Sequence, residues 1–168
     1  MPKVSFSALP SSARVWVFGS QDPLTVASAR ILLNEVDSFL DGWHAHGTAL
    51  TSAREWRDDR FLAVAVDQNS AAASGCSIDG LFRIFQRLEP QLGTSLLGGG
   101  RVYFRKAGGE VEAVTREEFA DRALAGEVSG STPVFDTSVT TLADYRERFE
   151  AETARSWHSA LLPDSVEG

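Results

Sequence analysis

The stretch Arg60–Asp67, RFLAVAVD, constrains the fold more than any other part of this sequence. Phe61–Val66 is an unbroken apolar run with a charge at each end, which reads as a strand apolar on both faces. Such a strand belongs in the middle of a sheet. Asp58-Asp59 supplies a turn before it, so Thr48–Arg57 reads as a strand feeding it, and Arg14–Phe18 (RVWVF) is a further β-branched and aromatic strand. Between them, Ser20-Gln21-Asp22-Pro23 has the form of a helix start. Ile31 or Leu32, Val36, Phe39, Leu40 and Trp43 then recur at spacings of three and four until Gly42 and Gly47.

After the small-residue loop Gln68–Gly75, a second helix is predicted from about Ser77. Ile78, Leu81, Phe82, Phe85, Leu88 and Leu92 form its buried stripe, and Pro90 weakens its last turn. Arg101–Arg105 and Glu110–Val114 flank a glycine turn and predict a hairpin. Thr115-x-x-Glu118 is a capping box opening a helix with Phe119, Ala120, Ala123 and Leu124 on its apolar face. Pro133–Phe135 is predicted as a short edge strand. Thr141 to about Arg155 is predicted as a final helix with Leu142, Tyr145 and Phe149 inside. This order predicts an α+β single domain, with a mainly antiparallel or mixed sheet of about five strands and about four helices. Residues 1–13 are expected to be a flexible leader, 14–162 the domain and 163–168 a tail.

The chain has 168 residues, 43% hydrophobic and 23% charged, enough for one domain with a real core. Its net charge of −7 argues against nucleic acid and anionic membrane as partners. No apolar run is long enough to span a bilayer, and the first residues lack the apolar centre of a secretory signal. The one cysteine, Cys76, excludes an intramolecular disulfide and fits a reducing, cytoplasmic setting.

That cysteine lies in Ala73-Ser74-Gly75-Cys76-Ser77-Ile78-Asp79, between the central strand and a helix. A thiol at a helix start feels the positive end of the macrodipole, which favours the thiolate. Ser74, Gly75, Ser77, Asp79 and the nearby amides, with Trp43 beside them, are the expected binding residues for a small anion. If the thiol is a nucleophile it needs a base, and His46 is the expected one, with Asp67 orienting it. The plainer alternative makes Ser77 a helix cap and Cys76 a small buried hydrophobe in a non-catalytic binding or adaptor domain. A zinc site built on His44, His46, Cys76 and Asp67 or Asp79 has poor spacing, so no metal or cofactor is expected. Trp16 and Trp43 fit core positions. Trp56 is the expected exposed partner surface, and Trp157 is expected to anchor the tail, with His158 incidental. The sequence contains no phosphate loop and no dinucleotide-binding or nucleophile-elbow motif, which excludes an NTPase.

Trp43-x-x-His46-Gly47, Arg60-Phe61-x-x-x-Ala65-Val66-Asp67, Ser74-Gly75-Cys76-Ser77-Ile78-Asp79 and Ser156-Trp157-His158 together resemble an uncharacterised bacterial family, found largely in the Bacteroidetes and neighbouring phyla. Its members often carry the label "ABC transporter ATPase". The resemblance runs from about Ser12 to Leu161, and Ser-Gly-Cys-Ser-Ile-Asp is its most specific string. This chain has none of the nucleotide motifs such an ATPase needs. The resemblance therefore implies a small cytoplasmic protein and directs attention to Cys76, without supplying an activity.

Overall fold

The computed structural model describes residues 5–45, 48–67, 75–97 and 99–163. The chain is α+β, with four α-helices and antiparallel sheets among the described residues. It folds as two compact units. The first comprises Met1–Leu97 with Ser138–Tyr145, and the second Gly98–Thr137 with Arg146–Gly168. Instead of one sheet, the strands form a three-stranded sheet, a two-stranded ribbon and a four-stranded sheet.

In the first unit β1 (Arg14–Gly19) and β4 (Ser52–Arg57) flank β5 (Phe61–Val66), all antiparallel. Every residue of β5 is buried, as its uninterrupted apolar run requires. The β4–β5 turn puts Asp58 and Asp59 at φ +55° and +57°, the left-handed pair that matches the twist of a tight hairpin. The ribbon β2 (His44–Ala45) and β3 (Thr48–Ala49) precedes β4, so the single strand expected over Thr48–Arg57 is interrupted at Leu50-Thr51.

Helix α1 (Val26–Asp41) starts later than Ser20–Pro23 indicates. Thr25 is the cap, its hydroxyl accepting from the Ser28 amide, while Ser20 Oγ donates to the Asp22 carbonyl in the approach turn. Ala29, Leu32, Val36 and Leu40 are its buried stripe. Helix α2 (Gly75–Leu92) runs through Pro90 and buries Ile78, Leu81, Phe85 and Leu88 with the same core, which includes Leu62, Val64 and Val66. Antiparallel partners share a face, so Arg14, Val66 and Ser52 form one row on the side facing these helices. Trp16, Val64 and Arg54 form the next row, and Phe18, Leu62 and Trp56 the third. Trp56 is half-buried against this core rather than an exposed partner surface. Residues 5–13 are likewise not loose. Leu9 and Ala13 are buried, and the Ala13 and Ser11 carbonyls accept from the Leu142 and Ala143 amides.

In the second unit the sheet order is β7 (Val111–Thr115), β6 (Arg101–Arg105), β8 (Pro133–Phe135), β9 (Glu150–Glu152). β8 is thus an inner strand, not an edge. It is covered by β9, a segment whose charged pattern suggested helix; α4 is confined to Leu142–Arg148. The capping box at Thr115 forms both of its bonds and opens α3 (Arg116–Leu124), which buries Phe119. Leu124, expected on the apolar face, is 72% exposed in the last turn.

Candidate functional site

Of the residues chosen from the sequence, Trp43, Asp67 and the first residues of α2 belong to one end of the first unit's sheet. Trp43, just past α1, is buried, 5.1 Å from the Phe39 ring and 6.1 Å from the Trp16 ring. Its carbonyl accepts from the Leu50 amide, and one residue further the Thr51 carbonyl accepts from the Asp67 amide, both at 2.9 Å. On the other side, Gly80 of α2 lies so close to Phe39 that a Cβ there would stand 2.7 Å from its ring. A continuous chain of contacts therefore links the second turn of α2 to Phe39, Trp43, Leu50-Thr51 and Asp67. α2 runs antiparallel to β5. Its middle, at Phe82 and Phe85, meets Phe18, whose partner Leu62 is near the start of β5. Its first turn is therefore at the end where β5 finishes.

Within that frame the predicted residues divide. Asp67 is half-buried immediately after β5, and Asp79 is exposed on α2. Gly75, Cys76 and Ser77 are the first three residues of α2, so Ser77 is inside the helix rather than its cap. His46 and Ser74 lie outside the described residues. His44 is exposed and donates from Nδ1 to the Gly42 carbonyl at 2.6 Å, a local capping role. Among the described residues no three His, Cys, Asp or Glu side chains are grouped to hold a metal ion.

Two residues at this end carried no signal in the sequence. Arg14 and Ser52 flank Val66 in the outermost row of the helix-facing side. Ser52 is fully buried. Arg14 Nε and Ser52 Oγ are the buried side-chain polar atoms left without a hydrogen-bond partner among the described residues. The Arg14 guanidinium lies 4.6 Å over the Trp16 ring. Only the strand register brings these two residues, distant in sequence, into one row.

The second unit contains a cleft of about 640 Å³ lined by residues including Arg105, Lys106, Arg122, Glu112 and Glu127. Both of its arginines are held in ion pairs. Arg105 pairs with Glu150 at 2.7 Å, and Arg122 with Glu112 at 2.6 Å. The bond to Glu112 raises the Arg122 pKa against its partial desolvation. His158 reverses the expected roles at the tail. It is 1% exposed while Trp157, stacked on it at 3.9 Å, is 39% exposed. Burial pushes the His158 pKa down to about 4, with the Arg116 charge acting in the same direction and Asp136 opposing. Its Nδ1 is 2.6 Å from Ser156 Oγ.

No protein-family model, curated protein or solved structure matches the chain. No helix among the described residues is long and apolar enough to cross a membrane.

Proposed function

We propose that this is a small cytoplasmic α+β protein whose working site is the sheet end where α2 begins, with Cys76 as a reactive thiol. The observation that carries the reading is the position of Cys76 in the first turn of an 18-residue helix, at the end of the sheet to which Trp43 and Asp67 also belong. The first amides of a helix have no intrahelical acceptors, and the aligned peptide dipoles add a partial positive charge there. Both favour a thiolate, the nucleophilic form of cysteine. In this reading His46 serves as base and Asp67 orients it, while Ser74, Gly75, Ser77, Asp79 and Trp43 are the binding residues for a small anionic molecule.

The test uses the fact that the chain has one cysteine, so alkylation reads Cys76 alone. Native protein is expected to react with iodoacetamide at pH 7 faster than the urea-unfolded chain, and His46→Ala is expected to remove that advantage. A thiol that reacts only on unfolding would instead favour the alternative, a binding or adaptor domain in which Cys76 is structural.

A further inference from the structure

The cleft of the second unit opens where a strand ladder stops. The β6–β8 pairing runs no further than Phe104–Val134, because Pro133 has no N–H with which to extend it. Beyond that point Lys106 and Ala107 border the cleft, as do Thr132 and Pro133. At the end of α3 the Glu127 amide donates back to the Arg122 carbonyl at 2.8 Å, with Gly126 at φ +79°, and this turn brings Glu127 to the same cleft. The cleft therefore has two charged poles. Lys106 Nζ and Arg122 Nη1 both approach Glu112 Oε1, at 3.8 and 2.9 Å, so two cations share one carboxylate. Lys106 is also 3.8 Å from Glu110, and at that distance it hydrogen-bonds neither acid, which leaves its ammonium protons to solvent. Arg122 uses two of its five N–H donors on Glu112. Glu127 is the opposite pole. It is exposed, and its carboxylate makes no hydrogen bond or ion pair among the described residues, although its charge is felt at Arg122.

We propose that this cleft binds a short zwitterionic peptide, held by its two charged ends. The C-terminal carboxylate lies between Lys106 Nζ and the unused N–H groups of Arg122, and the N-terminal ammonium meets Glu127. The Thr132 hydroxyl accepts from the Ser129 amide and still has its proton to donate to a peptide carbonyl. Charge selects this class of ligand. A simple anion such as phosphate would meet Glu112 and Glu127 as well as the cations, and a simple cation would meet Lys106 and Arg122. A molecule with one charge of each sign at opposite ends suits both poles. Its length follows from Arg122, whose side chain runs from the end of α3, beside Glu127, to Glu112. A single amino acid carries both charges on one α-carbon and falls short of that span. Each further residue lengthens an extended peptide by about 3.5 Å, so about two or three residues reach. The volume of about 640 Å³ is ample for such a ligand. The walls are preformed, because Glu150 and Glu112 already fix Arg105 and Arg122. The proposal is independent of the thiol reading, since every residue it uses belongs to the second unit.

The experiment uses the full-length protein and trialanine, followed by isothermal titration at low ionic strength. N-acetyl-trialanine lacks the ammonium, trialanine amide lacks the carboxylate, and alanine lacks the span. Trialanine is expected to bind saturably, and each of the other three about tenfold more weakly, the loss of one charge-assisted contact. Two substitutions at exposed side chains then read the two ends separately. Lys106→Gln should weaken trialanine about tenfold and remove its advantage over the amide, while its advantage over the acetylated peptide stays. Glu127→Gln should remove the advantage over the acetylated peptide and keep the advantage over the amide. The proposal is overturned by the absence of a saturable response to trialanine, or by blocked peptides that bind as well as the free one. It is equally overturned by tighter binding of inorganic phosphate, or by substitutions that weaken every peptide alike.

Discussion

His158 makes the second unit sensitive to acid in a way that can be worked out in advance. Its ring is buried against Phe119 at 6.4 Å and under Trp157, on which the Arg116 guanidinium lies at 4.9 Å. Burial holds its pKa at about 4, against 6.5 for an exposed imidazole. The sign follows from proton counting. Above pH 6.5 the ring is neutral in folded and unfolded chains alike and contributes nothing. Between 6.5 and about 4 the unfolded chain takes up a proton that the folded chain refuses, so stability falls as the pH falls. Each pH unit in that window costs about 1.4 kcal/mol, so acidification from pH 7 to 4 removes roughly 3 kcal/mol through this one residue. Carboxylates also titrate there, so the comparison must be with His158→Gln, which lacks the imidazole. Urea unfolding of both proteins at half-unit intervals from pH 7.5 to 4 is expected to give a wild-type stability curve steeper by about 1.4 kcal/mol per pH unit below 6.5. The variant should be less stable at pH 7.5, where the bond to Ser156 is lost, and relatively less affected at pH 4.5. Parallel curves would contradict this role for His158, and an NMR titration of the ring near 6.5 would show that burial does not hold it neutral.

Three further substitutions probe the frame around the proposed site and the elements that support it. Gly80→Ala gains helix propensity of up to about 1 kcal/mol but drives a Cβ to 2.7 Å from Phe39. A net loss of about 1 kcal/mol is expected, with a shift in tryptophan emission because Phe39 packs on Trp43. Thr115→Ala removes the hydroxyl that accepts from the Glu118 amide and opens the capping box. It should cost about 1 kcal/mol in urea unfolding. Asp59→Gly relieves a non-glycine residue at φ +57° in the β4–β5 turn and is expected to gain about 1 kcal/mol, read as a higher Tm.

The parts of this fold that could be read from the sequence are those set by neighbouring residues. β5 is written as an unbroken apolar run, the capping box at Thr115 as two residues three apart, and the α2 stripe as a period. Where the structure departs from the reading, a partner distant in sequence decided the matter. Glu150–Glu152 pairs with β8 instead of extending α4, because β8 needs a neighbour on its open side and the charges of β9 tolerate one. His158 is buried and Trp157 half-exposed because the short 3-10 helix over Trp157–Leu161 turns the smaller ring inward against Phe119. At the proposed site, Cys76 could be singled out as a lone thiol at a predicted helix start, and Trp43 and Asp67 as the ends of regular elements. Arg14 and Ser52 could not, because nothing in either residue's local sequence says that they share a row or that their polar atoms lack partners.

The proposed activation of Cys76 by the start of α2 can be tested on the native protein alone. The most direct measurement is the pH dependence of iodoacetamide alkylation of the native protein from pH 5 to 10. A single titration is expected, with an apparent pKa well below the ~8.5 of a free thiol. An unperturbed or raised pKa, or a thiol silent until the protein unfolds, would contradict it.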